Sequence, residues 1–230
     1  MIENLDKYRR AKMRQDRKLR RVAWLNEIKR FSIPNLMKYI VFGMAGVYLL
    51  DFLTSPTLGF NLSYFLAFDV AAIRMGQLWR LVTFIIYPPS TGIIFVAFAL
   101  YFYWMVGTSM EKHWGSSKFT LFYLCGMLGT MLAGLITGYA TNSYINLSLF
   151  FAFAITFPNF KILLFLILPV KVKWLALVNC FLYLFMLINN NWPGRIALLL
   201  SLLNIFIFLR DPIKQILYDA YRRVQWQRKG

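Results

Sequence analysis

Side chains that could carry acid, base, nucleophilic or metal chemistry are scarce in this sequence. One histidine, His113, two cysteines, Cys125 and Cys180, and nine carboxylates are spread over 230 residues. General acid–base catalysis needs a proton acceptor within hydrogen-bond reach of the reacting group, and so sparse a set offers few such pairs. Each cysteine stands in an apolar run with no second cysteine at metal-ligand spacing, so both read as small hydrophobes. No metal, disulfide or cofactor site is expected. What the apolar runs do hold is uncharged polar groups: Asn146, Ser148, Asn179, Ser201 and Asn204. The asparagines are expected to bond across to a neighbouring helix, and the serines either across or back to a carbonyl of their own helix.

The elements that must position these groups follow from composition. With 59% apolar, 18% aromatic and only 15% charged residues, the chain has too little polar surface for a soluble fold. No charged residue falls between Leu81 and Met110, Phe119 and Phe160, or Trp174 and Gly194. A hydrocarbon core of about 30 Å takes roughly 20 helical residues, so these runs hold several spans, and a single soluble catalytic domain is excluded. The basic, polar start of the chain does not read as a signal peptide.

The net charge of +17 is explained by where the cations lie. Twelve lysines and arginines precede residue 39 and six follow residue 209. By the positive-inside rule both ends are cytoplasmic, which demands an even number of spans. Six are expected, at 37–53, 90–110, 118–138, 144–157, 172–188 and 196–209. Lys112, Lys118, Lys161, Lys171 and Lys173 then fall in cytoplasmic turns, against Arg74, Arg80 and Arg195 outside. This gives a basic N-terminal segment over 1–36, a membrane domain over 37–210 and a basic tail over 211–230. Within 1–35, basic residues alternate with Leu5, Tyr8, Leu19, Trp24 and Ile28, as in a helix lying on an anionic lipid surface. The bilayer and anionic lipids are therefore the expected partners of the tails, and no nucleic-acid partner is expected.

The fourth and sixth spans, boxed in by Pro158 and by Arg195 with Arg210, are each short for the bilayer. Gly126, Thr130, Gly134 and Gly138 form a small face on the third span where a helix can approach closely. Gly43 with Gly46, and Ala197 with Ser201, offer shorter versions. Ser148 and Ser201 fall at matching depth and could bond across the fourth and sixth helices, or each to its own helix. The run 162–168 is too short to span and ends at Pro169, so it should lie at the cytoplasmic interface. Connection 54–89 reads as an outside loop with half-buried helical pieces, anchored by Tyr64, Trp79 and, further on, Trp192.

Over 37–210 these landmarks resemble the rhomboid intramembrane serine proteases, a six-helix membrane fold whose wider superfamily includes inactive members such as derlins. Gly76-Gln77-Leu78-Trp79-Arg80-Leu81-Val82-Thr83 is similar to the family's Trp-Arg loop element. Gly107, Glu111 and Gly115, within Gly107-Thr108-Ser109-Met110-Glu111 and the residues after it, resemble the pattern closing its second span. Ala152-Phe153-Ala154 with Pro158, and Pro169 to Ala176, are similar to the connection between its fourth and fifth helices.

The resemblance implies a serine nucleophile in a Gly-x-Ser-Gly turn, a histidine base on the sixth helix, and His and Asn donors on the second. Counting back from Ala152 puts Ser143 at the nucleophile, but Thr141-Asn142-Ser143-Tyr144 lacks both glycines. Phe95 and Ala99 stand at the oxyanion positions, and leucines around Leu198 replace the histidine. Loss of the base alone forfeits a factor of about 10²–10⁴, and each missing oxyanion donor a further ~3–4 kcal/mol. The chain is thus expected to be an all-α, six-span, rhomboid-like pseudoprotease of a bacterial cytoplasmic membrane. It would bind transmembrane segments of clients without cleaving them, with Asn146, Ser148 and Asn204 as candidate client contacts. Proteolysis at Ser143 by an unusual activator is the alternative.

Overall fold

The computed structural model describes residues 32–89, 92–164, 168–189 and 192–209. Most of the basic surface segment and the tail 211–230 lie outside the described residues. Within hydrocarbon a chain must satisfy its own backbone polar groups, and the apolar runs accordingly fold as helices. In chain order these are α1 (Leu36–Leu58), α2 (Leu62–Leu66), α3 (Val70–Arg74), α4 (Arg80–Thr83), α5 (Ile93–Trp114), α6 (Ser116–Thr137), α7 (Ser143–Thr156), α8 (Val172–Asn189) and α9 (Trp192–Phe208). Four helices, over Leu36–Pro56, Ile93–Trp114, Ser116–Thr137 and Val172–Asn189, are long and apolar enough to cross a membrane. The chain is a mostly helical membrane protein.

The 14 residues of α7 rise only about 21 Å. Helix α9 is longer than expected: it starts at Trp192 rather than 196. Pro193 is compatible with this because a helix's first turn has no intrahelical partner for its N–H groups. Helix α1 likewise continues past 53, through Pro56 to Leu58.

The six longer helices run between two ends of one bundle. At one end the Asn35 amide, preceding α1, donates to Glu111 at the end of α5, His113 of α5 packs on Phe157 after α7, and Phe208 of α9 packs on Phe122 near the start of α6. The Lys173 amide of α8 reaches the Pro158 carbonyl here as well. Lys38, Lys112, Lys118, Lys161, Lys171 and Lys173 all belong to this end, called the basic end below. The loop 59–89 closes the opposite end.

Among the described residues two short two-stranded sheets accompany the helices. Strand β1 (Phe68–Asp69) in the loop pairs antiparallel with β2 (Tyr139–Ala140) after α6. At the basic end, β3 (Lys161–Leu164) and β4 (Leu168–Lys171) form a hairpin in the register Lys161↔Lys171, Ile162↔Val170, Leu163↔Pro169 and Leu164↔Leu168. A run too short to span can still satisfy its backbone by pairing with itself, and β-branched Ile162 and Val170 suit a half-buried strand.

The small residues divide differently from the stripe read in the sequence. A Cβ on Gly126 would come 3.0 Å from Asn204 Nδ2 and 3.5 Å from Ile145, so this glycine admits α9 and α7. Gly129, which the spacing argument passed over, faces the Leu200 carbonyl at 3.6 Å. Gly134 instead receives Phe68 and Ala140 from the loop end. Gly138 is not part of a packing face at all: it caps α6 at φ +87°, a left-handed turn that glycine adopts without steric cost. Thr130 bonds back to the Gly126 carbonyl. Gly43 meets Ile86, in the 3-10 turn Phe84–Ile86 of the loop, and Gly46 faces open space. The side chains of Ala197 and Ser201 lie outside those described.

Candidate functional site

The loop end is braced by residues that the sequence singled out. Arg80 is buried and donates through Nη1 to the Tyr64 and Ala67 carbonyls, at 2.7 and 2.8 Å, and through Nε to Gln77 at 2.7 Å. Trp79 Nε1 donates to the Phe65 carbonyl. Arginine suits this role because its fixed fork of donors can serve several carbonyls while remaining charged. Asp51 of α1 accepts from the amides opening α2, and Asn142 donates to the Ile85 and Tyr87 carbonyls, fastening the loop to the start of α7. Neither role was legible in the sequence: Asn142 meets carbonyls 57 and 55 residues away, and Asp51 an amide 12 residues on that only the folded loop turns toward it.

At the basic end, Glu111 Oε1 accepts from the Asn35 amide and the Ser116 hydroxyl, both at 2.7 Å. Gly107 lets α1 approach so closely that a Cβ there would lie 2.1 Å from Met37 Cγ. Gly115 makes the one-residue turn between α5 and α6 at φ +80°, ψ 151°, a conformation essentially restricted to glycine. The three residues thus join α1, α5 and α6.

Between these ends lies a cavity of about 350 Å³. Helix α5 contributes Phe98, Phe102 and Tyr103, α7 contributes Ser143, Asn146, Leu147 and Phe150, and α8 contributes Leu175 and Asn179, with Ile162 from the hairpin. Positions 143, 146, 147 and 150 share one face of α7 by helical spacing, so the cavity is a groove along that helix. Helix α7 packs against both α5 and α8. Helix α8 buries little of itself, leaving Trp174, Leu177, Phe181, Phe185 and Ile188 exposed.

The groove walls are apolar, with four polar side chains at different levels. Ser143 is exposed at the loop end. Asn146 is buried, interacts through its side chain with the Tyr103 hydroxyl, and leaves its Oδ1 without a partner among the described residues. Asn179 bonds back to the Leu175 carbonyl, so the interhelical bond expected of it is not formed. Asn204 does bond between helices, donating to the Phe122 carbonyl of α6 at 3.1 Å, but it sits against Gly126 rather than in the groove. Ser148, for which a bond across to Ser201 and one to its own helix were both open, donates to the Ile145 carbonyl of its own helix at 2.8 Å.

Of the positions assigned to catalysis, only Ser143 lines the groove. Phe95 is more than half exposed, and Phe98 and Phe102, not Phe95 or Ala99, line the groove. Leu198 is buried and outside the groove lining. Tyr103 is the one titratable lining residue. His113 packs edge-on against Phe157 at 5.2 Å, at the far end of α7 from Ser143, about 21 Å of helix rise away. Among the described residues no group of histidines, cysteines and carboxylates could hold a metal ion. The aromatic spacing 98, 102 and 103 was the signal that could have marked the groove wall.

Comparison of the chain with family models, curated proteins and solved structures found no match in any of the three.

Proposed function

We propose that this chain is a rhomboid-like pseudoprotease that binds transmembrane segments of client proteins without cleaving them, in membrane-protein quality control or trafficking. The groove along α7 carries this reading. Its aromatic and aliphatic walls suit an apolar helix, while the exposed Ser143 offers a hydroxyl to a polar group on that helix. The short α7 adds to this, because a span below the hydrocarbon thickness thins the bilayer or recruits neighbours. Six spans, with both basic termini on the cytoplasmic side of a bacterial membrane, complete the proposal.

A photoreactive amino acid at Leu147, in the groove, should yield adducts with membrane helices of other proteins. The same group at lipid-exposed Leu128 should not. Lipid adducts alone from Leu147 would remove the client-binding reading. Since Ser143 opens onto the groove, proteolysis is the competing reading. A fluorophosphonate probe should leave the protein unlabelled, and labelling that disappears in Ser143→Ala would put a working protease in its place.

A further inference from the structure

A second cavity, also of about 350 Å³, opens at the basic end. It is lined by Ser109, Lys112 and His113 of α5 and by Phe153, Phe157 and Phe160 around the end of α7. One wall is therefore cationic and hydroxylic and the other is phenyl. The next residue after Phe160 starts the hairpin, where Lys161 and Lys171 stand directly opposite each other. Opposed residues of an antiparallel pair hold their Cβ atoms about 4.5–5.5 Å apart on one face, and like charges there destabilise the pairing. On that face Lys161, Leu163, Pro169 and Lys171 are all exposed, while Ile162 on the other is buried. The exposed face is basic at the root and apolar toward the tip. Glu111, the one described carboxylate of this end, is occupied by Asn35 and Ser116.

Lys112, a cation without a described counter-ion on the wall of a phenyl-lined cavity, complements an anion that carries hydrocarbon. Lys161 and Lys171 stand on the hairpin face opposite Ile162 and do not line this cavity. We infer that this end holds an anionic phospholipid, its phosphate at Ser109, Lys112 and His113 and an acyl chain against Phe153, Phe157 and Phe160. The phenyl wall favours a lipid over free phosphate, for which it would have no use. The site lies on the membrane domain, is separate from the basic tails, and does not depend on client binding in the groove.

The test is native mass spectrometry of the full chain in detergent, titrated with phosphatidylglycerol or with phosphatidylcholine of the same acyl chains. Phosphatidylglycerol should be retained in preference. A cation near an anionic headgroup contributes about fivefold, so Lys112→Gln should weaken its retention ~5-fold and leave phosphatidylcholine unchanged, while Lys161→Gln with Lys171→Gln, on the far face of the hairpin, should not weaken it. Lys112→Arg should keep the preference, which separates lost charge from lost fold. Undiminished retention in Lys112→Gln would overturn the site. So would loss only on Arg9→Gln, Arg10→Gln in the N-terminal segment, or displacement of the lipid by an equal concentration of inorganic phosphate.

Discussion

Arg80 shows how one side chain holds a long connection in place. Two of its three hydrogen bonds tie α4 to the carbonyls around α2 and the third goes to Gln77, and truncation would leave those carbonyls short of donors. Hydrogen bonds to charged groups are worth roughly 1.5–3 kcal/mol each, so Arg80→Ala should cost about 3 kcal/mol or more. Arg80→Lys should recover only part, because an ammonium cannot reproduce the planar fork. Arg74→Ala, at an exposed position, should change stability by less than ~0.5 kcal/mol. Thermal unfolding in detergent, followed by tryptophan fluorescence, measures all three. The Trp79-Arg80 pair was legible in the sequence as a loop element, but which carbonyls it serves was not. They belong to Tyr64 and Ala67, and only the folded loop brings them to the guanidinium.

At the scale of the helix, the glycines separate close approach from mere smallness. Gly107→Ala places a methyl group within 2.6 Å of Met37 Cβ as well as on its Cγ, a clash that rotation of the methionine tip cannot relieve. Overpacking of this kind costs about 1–3 kcal/mol, and Met37→Ala in the same chain, which removes the Cγ but keeps the Cβ, should restore only part of the loss. Gly46→Ala meets nothing within 4 Å and should be neutral or stabilising by up to ~1 kcal/mol, through the higher helix propensity of alanine. The same unfolding measurement separates the two outcomes: equal effects at both sites would refute the packing at Gly107. Spacing alone placed Gly43 with Gly46 and Gly134 with Gly138, yet the members of each pair meet different surroundings. A four-residue repeat marks one face of a helix without saying what, if anything, approaches it.

For the whole molecule, the arrangement of ends makes a prediction about sidedness. In a background with Cys125 and Cys180 replaced by alanine, Met75→Cys in the exposed loop should react with a membrane-impermeant maleimide added outside intact cells. Ser117→Cys, at the start of α6, should react only after the membrane is opened. The reverse pattern would invert the topology, and labelling of both from outside would rule out an intact bundle crossing the bilayer.

The sequence by itself determined that this is a helical membrane protein, where its apolar helices lie to within a few residues, and which end is basic. Those properties are sums along the chain: transfer of a segment into hydrocarbon depends on its composition and length, whatever its neighbours. Tertiary structure decided which face of each helix does what. It turned Phe98 and Phe102 rather than Phe95 toward α7, returned Ser148 to its own helix, and set Asn204 against Gly126. It also paired 161–164 with 168–171, so that Lys161 and Lys171 face each other. Helices α5, α6 and α7 are apolar nearly all round, so no hydrophobic stripe declares their inward face as it would in water. Between such helices, close packing and a few hydrogen bonds select the contacts, and these exist only once the helices have met.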